Sequence, residues 1–344
     1  MTVVKSNAYG HGLVRFSKEM TKLGVDWLGV DSVVEGLRLR EERIKIPVLV
    51  LGYTLPERLE TAAKNDISVA VSSFELLRYI VGKSFSKKLK IHIKVDSGMH
   101  RQGFLLADLP RVLKMLQASG FMNNVSVEGL FTHFAVAGDP VARRATLGQI
   151  AVFNKWLKAF QAGGFKPIIH VAATSGAILF PESHFDMVRI GIGMYGLWPS
   201  REVKIIAEKR LPLKPILSWK TIISEVKKLP KGESVGYDFT EKLKHNSTIA
   251  ICPIGYWHGY PRTLSGKGEV LIGGKRAKIL GRVSMDMVVI DITAIPKAKV
   301  GDEVIVIGVS DKESIGAADI AHLTSTSWYE IVTRINPLLE RIYE

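Results

Sequence analysis

A lysine that could act as a nucleophile stands near the start of the chain. Lys5 follows the apolar pair Val3-Val4 and precedes a polar segment that contains Tyr9 and two glycines. A lysine amine at the end of a short apolar strand can form a Schiff base with a carbonyl compound. The structural alternative is a lysine whose charged end reaches solvent while its alkyl stem lies against apolar groups.

Other side chains with catalytic or binding potential follow apolar runs in the same way. They are Arg101, His133, His170, Thr174, Ser175 and Arg189, the last followed by Gly191 and Gly193. An arginine offers a planar fork of donors to an anionic oxygen, and hydroxyls at a helix start suit a phosphate. Each residue alone has a structural explanation as a core histidine, a helix cap or an ion-pair partner. Together they indicate a pocket for a phosphorylated carbonyl cofactor.

The second half of the chain holds a tyrosine in a glycine-flanked segment. Tyr256 lies within residues 253–262, and a similar loop-like segment, 281–287, contains Met285 and Asp286. Both segments stand out as loop-like runs beside predicted strands. A buried corner tyrosine is the structural alternative.

The elements that must position these residues change character along the chain. Up to about residue 200, short apolar runs alternate with amphipathic stretches of helical length. The runs 27–30, 47–51, 68–71, 90–95, 127–131 and 168–171 are typical of strands buried on both faces. The stretches 33–42, 56–65, 74–81, 109–119 and 149–162 predict helices. Seven or eight such units favour a closed (β/α)8 barrel over an open sheet, with the candidate residues at its active-site face.

After Pro199 the pattern becomes that of a β-strand domain. The segments 218–226, 249–254, 269–272, 288–291 and 303–307 predict strands, and Gly273-Gly274 predicts a tight hairpin turn. A helical tail is expected from residue 317 to 323. The predicted fold class is therefore α/β: a (β/α)8 TIM-type barrel over residues 1–208, followed by a C-terminal all-β domain over residues 209–344.

The composition is that of a globular chain of 344 residues, 47% of them hydrophobic. No apolar run is long enough to span a bilayer and the start lacks a signal peptide, so we expect a soluble cytoplasmic protein. The single cysteine, Cys252, excludes an internal disulfide. The 47 Lys and Arg against 33 Asp and Glu leave a formal net charge of +14. These charges are dispersed, which favours a solvated basic surface over nucleic-acid binding.

Taken in order, these motifs resemble those of alanine racemases, pyridoxal-phosphate enzymes built from a (β/α)8 barrel and a β domain. The resemblance spans essentially the whole chain. It implies that Lys5 forms a Schiff base with pyridoxal 5′-phosphate and that Arg189 faces the pyridine nitrogen. Since a guanidinium does not readily give up its proton, that nitrogen would stay unprotonated, which limits transamination. The further cofactor contacts that it implies are Tyr9, Arg101, His133, Thr174, Gly191, Ile192 and Tyr329, with His133 against the ring.

Racemisation needs a base on each face of the substrate Cα. The resemblance implies Lys5 as the base that exchanges the proton of D-alanine and Tyr256 of the partner subunit as the base for L-alanine. The working unit would then be a homodimer with shared active sites, and the second domain would contribute to the partner's site. The activity implied is the interconversion of L-alanine and D-alanine, which supplies D-alanine for peptidoglycan.

The resemblance also implies residues that support the two bases. His170, near Arg189, would be the partner that lowers the pKa of Tyr256. Met285 and Arg101 would bind the substrate. Supporting roles would fall to Lys94, whose counterpart is often carbamylated in the family and steadies Arg101, and to Asp286.

The sequence departs from the family pattern at several positions. Ala173 replaces Asn, Thr174 replaces Ser, Trp257 and His258 replace Ala and Asp, and His100 replaces Gly. A racemase for serine or a basic amino acid, and a non-catalytic pyridoxal-phosphate-binding homologue, therefore stay open as alternatives. Only four residues precede Lys5, a few tens fewer than in relatives, and we expect such a short form to be less stable than an extended one.

Overall fold

The computed structural model describes residues 1–344, and the chain divides into two compact units. The barrel unit comprises Met1–Ala8 and Leu13–Pro215, and the β unit comprises Tyr9–Gly12 and Ile216–Glu344. The boundary expected between residues 208 and 209 lies a few residues before the observed one. The segment that follows Lys5 belongs to the β unit, which the sequence patterns did not indicate.

Seven parallel strands, in the order β1 to β7, form the sheet of the barrel unit. Isolated bridges pair Thr2 with Ile190 and Ala173 with Arg189, so the segment that carries Arg189 closes the sheet into a barrel. The barrel prediction is confirmed, with a bridging segment in place of a regular eighth strand. The strands are β1 Thr2–Val3, β2 Leu28–Val30, β3 Val48–Val50, β4 Ile67–Val71, β5 Leu89–Lys94, β6 Val125–Phe131 and β7 Ile168–His170.

Helices connect the barrel strands. Several begin at a serine whose hydroxyl accepts the backbone N–H three residues later, as Ser73 does for Leu76. The helices are α1 Lys5–Tyr9, a left-handed turn, α2 Leu13–Lys22, α3 Val33–Glu41, α4 Leu59–Lys64, α5 Phe74–Val81, α6 Leu109–Leu116, α7 Phe121–Asn124, α8 Arg143–Ala162, α9 Thr174–Leu179 and α10 Arg201–Ala207. Helix α5 has the predicted bounds, whereas α8 begins before the predicted residue 149.

Polar side chains line the inside of the barrel along β5. Lys90, His92 and Lys94 share one face of this strand because successive side chains point to opposite faces. A β-bulge shifts the register between β5 and β6, because Ile91 pairs with Val127 whereas the next residue, His92, pairs with Gly129. Glu128 is the extra residue of the bulge, and bulges redirect the side chains that they carry.

An antiparallel sheet forms most of the β unit, in the order β17-β16-β13-β14-β15-β12-β9, with β8 paired to β16. The predicted hairpin is present: Gly273 and Gly274 both have positive φ and join β13 to β14. The strands are β8 Trp219–Ile222, β9 Glu225–Leu229, β10 Ser234–Val235, β11 Glu241–Lys242, β12 Ser247–Cys252, β13 Glu269–Ile272, β14 Lys275–Leu280, β15 Val288–Asp291, β16 Glu303–Ser310 and β17 Glu313–Ile315.

The single strand predicted over residues 218–226 is two strands in the structure. The N–H of Ile223 bonds to Asp302 beside β16, and the N–H of Ser224 bonds to Ile251 in β12. The chain therefore leaves one neighbour and joins another at this point. The apolar pattern continues through the crossover, so the pattern alone could not locate it.

Helices α11 (Ala317–Thr324) and α12 (Trp328–Thr333) precede a C-terminal tail that packs on the loop Tyr9–Gly12. The guanidinium of Arg341 donates two hydrogen bonds to the carbonyl of Gly10, at 3.1 and 2.9 Å. Gly10 approaches the backbone of Val332 so closely that a Cβ would lie 1.9 Å from its carbonyl oxygen. This loop requires glycine. None of the helices has the length and apolar character needed to cross a membrane.

Candidate functional site

Lys5 lies at the end of β1 and begins a left-handed turn. Residues 6 to 9 all have φ between 51° and 57°, a conformation that costs non-glycine residues about 1–2 kcal/mol each. The Nζ of Lys5 lies 3.3 Å from Oδ1 of Asp31, and the lysine side chain is partly exposed. Strained backbone of this kind is found where a functional side chain must be held in one direction.

The Glu35 carboxylate stabilises this turn. Its Oε1 accepts the N–H groups of Ser6 and Asn7 at 2.7 and 3.4 Å, and its Oε2 accepts the N–H of Asp31 at 2.8 Å. Glu35 therefore positions both Lys5 and the carboxylate that faces it. Glu35 was not predicted as a site residue, because its partners Ser6 and Asn7 lie nearly thirty residues away along the chain.

Asp96 organises the loop that carries Arg101. Its Oδ1 accepts the N–H groups of Gly98, Met99 and His100 at 2.9 to 3.0 Å. Burial raises the pKa of Asp96, but these hydrogen bonds outweigh it and the pKa lies below its usual value. His100, the replacement for a family glycine, adopts φ 55°, so the backbone keeps a left-handed conformation without the glycine.

Positive charge is concentrated around His133, which follows β6. Burial, together with the charges of Arg189, Arg101, Lys94 and Lys5, lowers the pKa of His133 to about 3. Burial and the neighbouring cations also lower the pKa of Lys94 to about 8. A small cavity lies between Lys94, Arg101 and His133. The structure thus brings the predicted cations together, in a setting suited to an anionic ligand.

Arg189 is buried and held by five acceptors. Its Nη1 donates to the carbonyl and to Nδ1 of His170, at 2.6 and 2.9 Å. Its Nη2 contacts the carbonyls of Thr132 and Val171, at 2.7 and 3.0 Å, and Nδ1 of His133, at 3.3 Å. These bonds engage the terminal nitrogens, and none involves Nε. Burial lowers the pKa of Arg189 to about 9, which leaves it protonated at neutral pH.

His170 has both of its ring nitrogens occupied inside the barrel. Nδ1 contacts Arg189, and Nε2 lies 2.8 Å from Nδ1 of His92. The expected proximity of His170 to Arg189 is present, but its expected partnership with Tyr256 is wrong. A fully buried imidazole with both nitrogens bonded has no atom left to offer a phenol.

Helix α9 begins at Thr174 and brings its hydroxyl to the glycine-rich segment after Arg189. The Thr174 Oγ1 accepts the N–H groups of Gly191 and Gly193, at 3.2 and 3.5 Å. Ile192 begins the short 3-10 helix that follows. Ala173 caps the helix without a side-chain hydrogen bond, so the departure from the family Asn removes an acceptor there. Thr174, Gly191 and Ile192 thus lie together, as expected.

Tyr256 occupies an exposed turn of the β unit. Its N–H donates to the carbonyl of Ser284, and the N–H of Trp257 donates to that of Met285, both at 3.0 Å. The ring of His258 accepts the Gly255 N–H at 3.1 Å and closes the turn from inside. The replacement of a family Asp by His258 therefore keeps a hydrogen-bonded turn. Tyr256 and the segment with Met285 and Asp286 are neighbours.

Tyr9 and Tyr329 form an aromatic pair within the β unit. Their ring centroids lie 6.1 Å apart at an angle of 53°. Burial and the nearby phenol of Tyr9 raise the pKa of Tyr329, so its hydroxyl stays protonated as a donor. The two phenols, predicted from distant parts of the sequence, are thus adjacent.

Two residues of the barrel interior, His92 and Glu128, were not predicted as site residues. The Nε2 of His92 lies 3.2 Å from Oε2 of Glu128, and the Nδ1 of His92 lies 2.8 Å from Nε2 of His170. The signal that could have found them is the alternation of basic residues along β5 and the Glu128-Gly129 pair at the predicted β6. Charged residues are unusual on a strand buried on both faces.

Comparison with known proteins covers both units. Residues 1–199 match the family model described as alanine racemase, N-terminal domain, and residues 216–343 match alanine racemase, C-terminal domain. An alanine racemase of Leptospira interrogans is 37% identical over 99% of this chain and 88% of its own length. That of Symbiobacterium thermophilum is 39% identical over 100% of this chain and 90% of its own. The crystal structure of alanine racemase from Bacillus anthracis with bound L-Ala-P superposes with TM-score 0.90 at 37% identity, covering 97% of this chain and 85% of that one.

Proposed function

The chain belongs to the alanine racemase family, and from that premise we propose how its own residues interconvert L-alanine and D-alanine. The activity is alanine racemisation, the activity of an isomerase that depends on pyridoxal phosphate. The observation that carries the residue assignment is the small cavity between Lys94, Arg101 and His133, with Nη2 of Arg189 3.3 Å from Nδ1 of His133.

The donor set of the barrel unit fits pyridoxal 5′-phosphate. An amine for the aldehyde is available at Lys5. The Thr174 hydroxyl and the backbone N–H of Ile192 are available for the phosphate, and the N–H of Gly191 bonds to Thr174 Oγ1 beside them. Arg101 offers a guanidinium. When bound, the cofactor delocalises the electron pair that remains on Cα after proton removal.

Arg189 is assigned to the pyridine nitrogen. Its terminal nitrogens are engaged by the protein, so the Nε–H is the donor that remains for a ligand. Because a guanidinium keeps its proton, it donates a hydrogen bond and transfers no proton to the ring. The ring then withdraws electrons less strongly, which restricts side reactions such as transamination.

Two bases act on opposite faces of Cα. Lys5 exchanges the proton of D-alanine, and Tyr256 of the partner subunit exchanges that of L-alanine. General acid–base groups of this kind contribute roughly 10²–10⁴-fold each to a rate. The turn after Lys5 is held by hydrogen bonds to Glu35, and the turn at Tyr256 is held by the bond from Gly255 to His258. Each turn would hold one base in a defined position.

His133 is the residue suited to assist the tyrosine. Since Arg189 can only donate, the Nδ1 of His133 must accept, and its proton therefore lies on Nε2. With its pKa lowered to about 3, His133 is neutral at physiological pH. A neutral Nε2–H can donate to a phenol oxygen and stabilise it after proton loss. The same neutral ring can pack against the cofactor.

The remaining assignments concern substrate and support. Arg101 and the backbone of Met285 would bind the substrate carboxylate, with Asp286 in a supporting role. Lys94 contacts Gln102 at 3.1 Å. Its pKa of about 8 provides a neutral fraction of the amine, which is the form that reacts with carbon dioxide. A carbamate on Lys94 would replace a like charge beside Arg101 with an opposite one.

A homodimer with shared sites is supported by the surface of the β unit. The backbone bonds at Ser284 and Met285, and the ion pair between Arg282 and Asp238 at 2.8 Å, join three exposed turns. These turns carry an apolar patch formed by Tyr237, Phe239, Tyr256, Trp257, Met285 and Met287. Such patches mark interaction sites, and we propose that a second copy covers this one.

The test is deuterium incorporation at Cα. Protein supplied with pyridoxal phosphate and L-alanine in heavy water is expected to form deuterated D-alanine, and Lys5→Ala is expected to form none. Activity that persists in Lys5→Ala contradicts the assignment of this lysine. The same measurement with serine, lysine and arginine distinguishes an alanine racemase from a racemase for one of these amino acids. Bound cofactor without exchange on any amino acid would favour a non-catalytic homologue.

A further inference from the structure

A line of polar residues crosses the barrel unit from the buried Arg189 to the half-buried Glu128. The Nη1 of Arg189 lies 2.9 Å from Nδ1 of His170, and the Nε2 of His170 lies 2.8 Å from Nδ1 of His92. The Nε2 of His92 lies 3.2 Å from Oε2 of Glu128. We call these four residues the relay. Only Arg189 has a place in the reaction described above.

The chemistry at the two ends determines every proton position in the relay. A guanidinium can only donate, so Nδ1 of His170 must accept and its proton lies on Nε2. That proton points at Nδ1 of His92, which therefore accepts and carries its own proton on Nε2. The last proton points at Glu128, and a carboxylate can only accept. Both histidines are thus neutral and confined to the Nε2–H tautomer.

The protonation states agree with this assignment. Burial lowers the pKa of both His92 and His170, with the charge of Arg189 acting in the same direction. Burial raises the pKa of Glu128, but the hydrogen bonds from His92 and Ser68 outweigh it and the net change is downward. A neutral pair of imidazoles therefore links a cation to an anion.

The backbone makes room for the relay. The bulge between β5 and β6 leaves Glu128 as the unpaired residue next to Gly129. A Cβ on Gly129 would lie 1.9 Å from Nδ1 of His92, so only glycine leaves space for the imidazole at this position. The ring of Phe131 stacks on His170, with centroids 4.7 Å apart and planes 9° from parallel. The histidines are thus confined in direction as well as in protonation.

We propose that His92 and Glu128 are positioning residues for Arg189, an inference that rests on the proposed role of Arg189 at the cofactor ring. Without the acceptor at Glu128, the Nε2–H of His92 would be buried without a partner, and the cost of that unsatisfied donor opposes the tautomer that Arg189 imposes. A proton on Nδ1 of His92 would oppose the Nε2–H of His170 and move that proton to Nδ1. Nδ1–H of His170 would then face a guanidinium donor, and Arg189 would lose one of its acceptors.

The first experiment reads the tautomers directly, in protein without cofactor. Imidazole nitrogen NMR of protein with ¹⁵N-labelled histidine, assigned with single-histidine substitutions, is expected to show Nε2–H at His92 and His170. Glu128→Leu is expected to introduce the Nδ1–H form at both rings. Glu128→Gln, which keeps an acceptor, and Ser68→Ala, which removes only a neighbouring donor, are expected to keep the wild-type pattern. Nδ1–H at either ring of the wild type, or a wild-type pattern in Glu128→Leu, overturns the proposal.

The second experiment reads the effect on Arg189. The kcat of the Glu128→Leu holoenzyme is expected to fall roughly 10- to 100-fold, because Arg189 loses one charge-assisted hydrogen bond. KM for alanine should change by less than about threefold, since Glu128 touches no substrate. Transamination of alanine yields pyruvate. The amount of pyruvate formed per racemisation event should rise, because Arg189 holds the pyridine nitrogen of the cofactor less firmly. Glu128→Gln should restore both values towards those of the wild type. An unchanged pyruvate ratio overturns the proposal.

The two readouts separate this inference from the function on which it rests. If the wild-type holoenzyme fails to racemise alanine, the assignment of the reaction fails, while the tautomers still test the relay. If racemisation proceeds and the tautomers differ from those expected, the relay alone fails.

Discussion

The barrel unit and the β unit present their candidate residues in opposite ways. Arg189 is 3% exposed and His170 is fully buried, and each of their bonded atoms has a partner within the barrel. Tyr256 and Met285 are 43% and 52% exposed. The barrel residues are fixed by their own unit, whereas those of the β unit stand at a surface.

This difference follows from what each set must do. A buried charge or imidazole is tolerated only when its hydrogen bonds are satisfied, so the barrel residues had to be linked to one another. In the proposed function, Tyr256 acts on the substrate of another subunit, so it would have to remain exposed until that subunit docks. Stability and activity should therefore be separable in the β unit and inseparable in the barrel.

The largest expected effect comes from two tyrosines of the same turn. Tyr256→Phe should reduce racemisation by roughly 10²–10⁴-fold, with removal of the L-alanine proton slowed more than that of D-alanine. Tyr260→Phe is the matched control, since the Tyr260 hydroxyl is buried and has no hydrogen-bond partner. Isotope exchange measured from both enantiomers distinguishes them. Equal slowing in the two directions would argue against Tyr256 as the L-alanine base.

Loss of the buried arginine should cost stability as well as activity. Arg189→Leu leaves three carbonyl groups and two imidazoles without their donor, and we expect the free energy of unfolding to fall by about 3 kcal/mol or more. Met285→Ala, at an exposed position of the β unit, should change it by less than about 0.5 kcal/mol. Urea unfolding of both variants without cofactor provides the comparison. Similar losses in the two variants would contradict the contrast between the units.

Lys94 should make the stability of the barrel unit depend on pH. The pKa of Lys94 is about 8 in the folded protein and 10.5 for an ordinary lysine, as in the unfolded chain. Between pH 8 and pH 10.5, the unfolded chain therefore binds more protons than the folded protein does. Stability should therefore rise with pH from about 8 to 10.5, by up to about 3 kcal/mol from this group. Lys94→Met should remove that rise. The measurement is unfolding of both proteins in buffers free of carbon dioxide, and parallel pH profiles would refute it.

The smallest effect concerns the tail of the β unit. The Tyr343 hydroxyl donates to the carbonyls of His11 and Gly12, which follow the turn at Lys5. Tyr343→Phe should lower the free energy of unfolding by about 1 kcal/mol. Ile342→Ala, at a neighbouring exposed position, should leave it nearly unchanged. A silent Tyr343→Phe would show that the tail does not anchor this loop.

Local patterns predicted the parts of the fold that depend on neighbouring residues. Helix α5 has its expected bounds because Ser73 caps it and its apolar residues recur at helical spacing. The hairpin at Gly273 and Gly274 follows from the need for positive φ at both positions. The candidate cations were found because functional residues of a barrel lie at the carboxyl ends of its strands.

Contacts between distant segments lay beyond those patterns. The crossover at Ile223 and Ser224 depends on two strands, β16 and β12, that the local sequence does not describe. The contact of His170 with Arg189 was predicted, but its contact with His92 was not, since that partner is chosen by which side chains meet inside the barrel. Glu35 holds the turn after Lys5 through bonds that span nearly thirty residues of chain.

The amino-acid pattern therefore settles the element types, the barrel and β architecture and the chemical kinds of the site residues, because these follow from periodicity, turn chemistry and side-chain functional groups. Folding in three dimensions settles which donor meets which acceptor. A histidine can carry its proton on either ring nitrogen, and inside the barrel neighbours such as Arg189 and Glu128 decide which one carries it. The same physical requirement, that buried polar groups be satisfied, links residues that no sequence spacing connects.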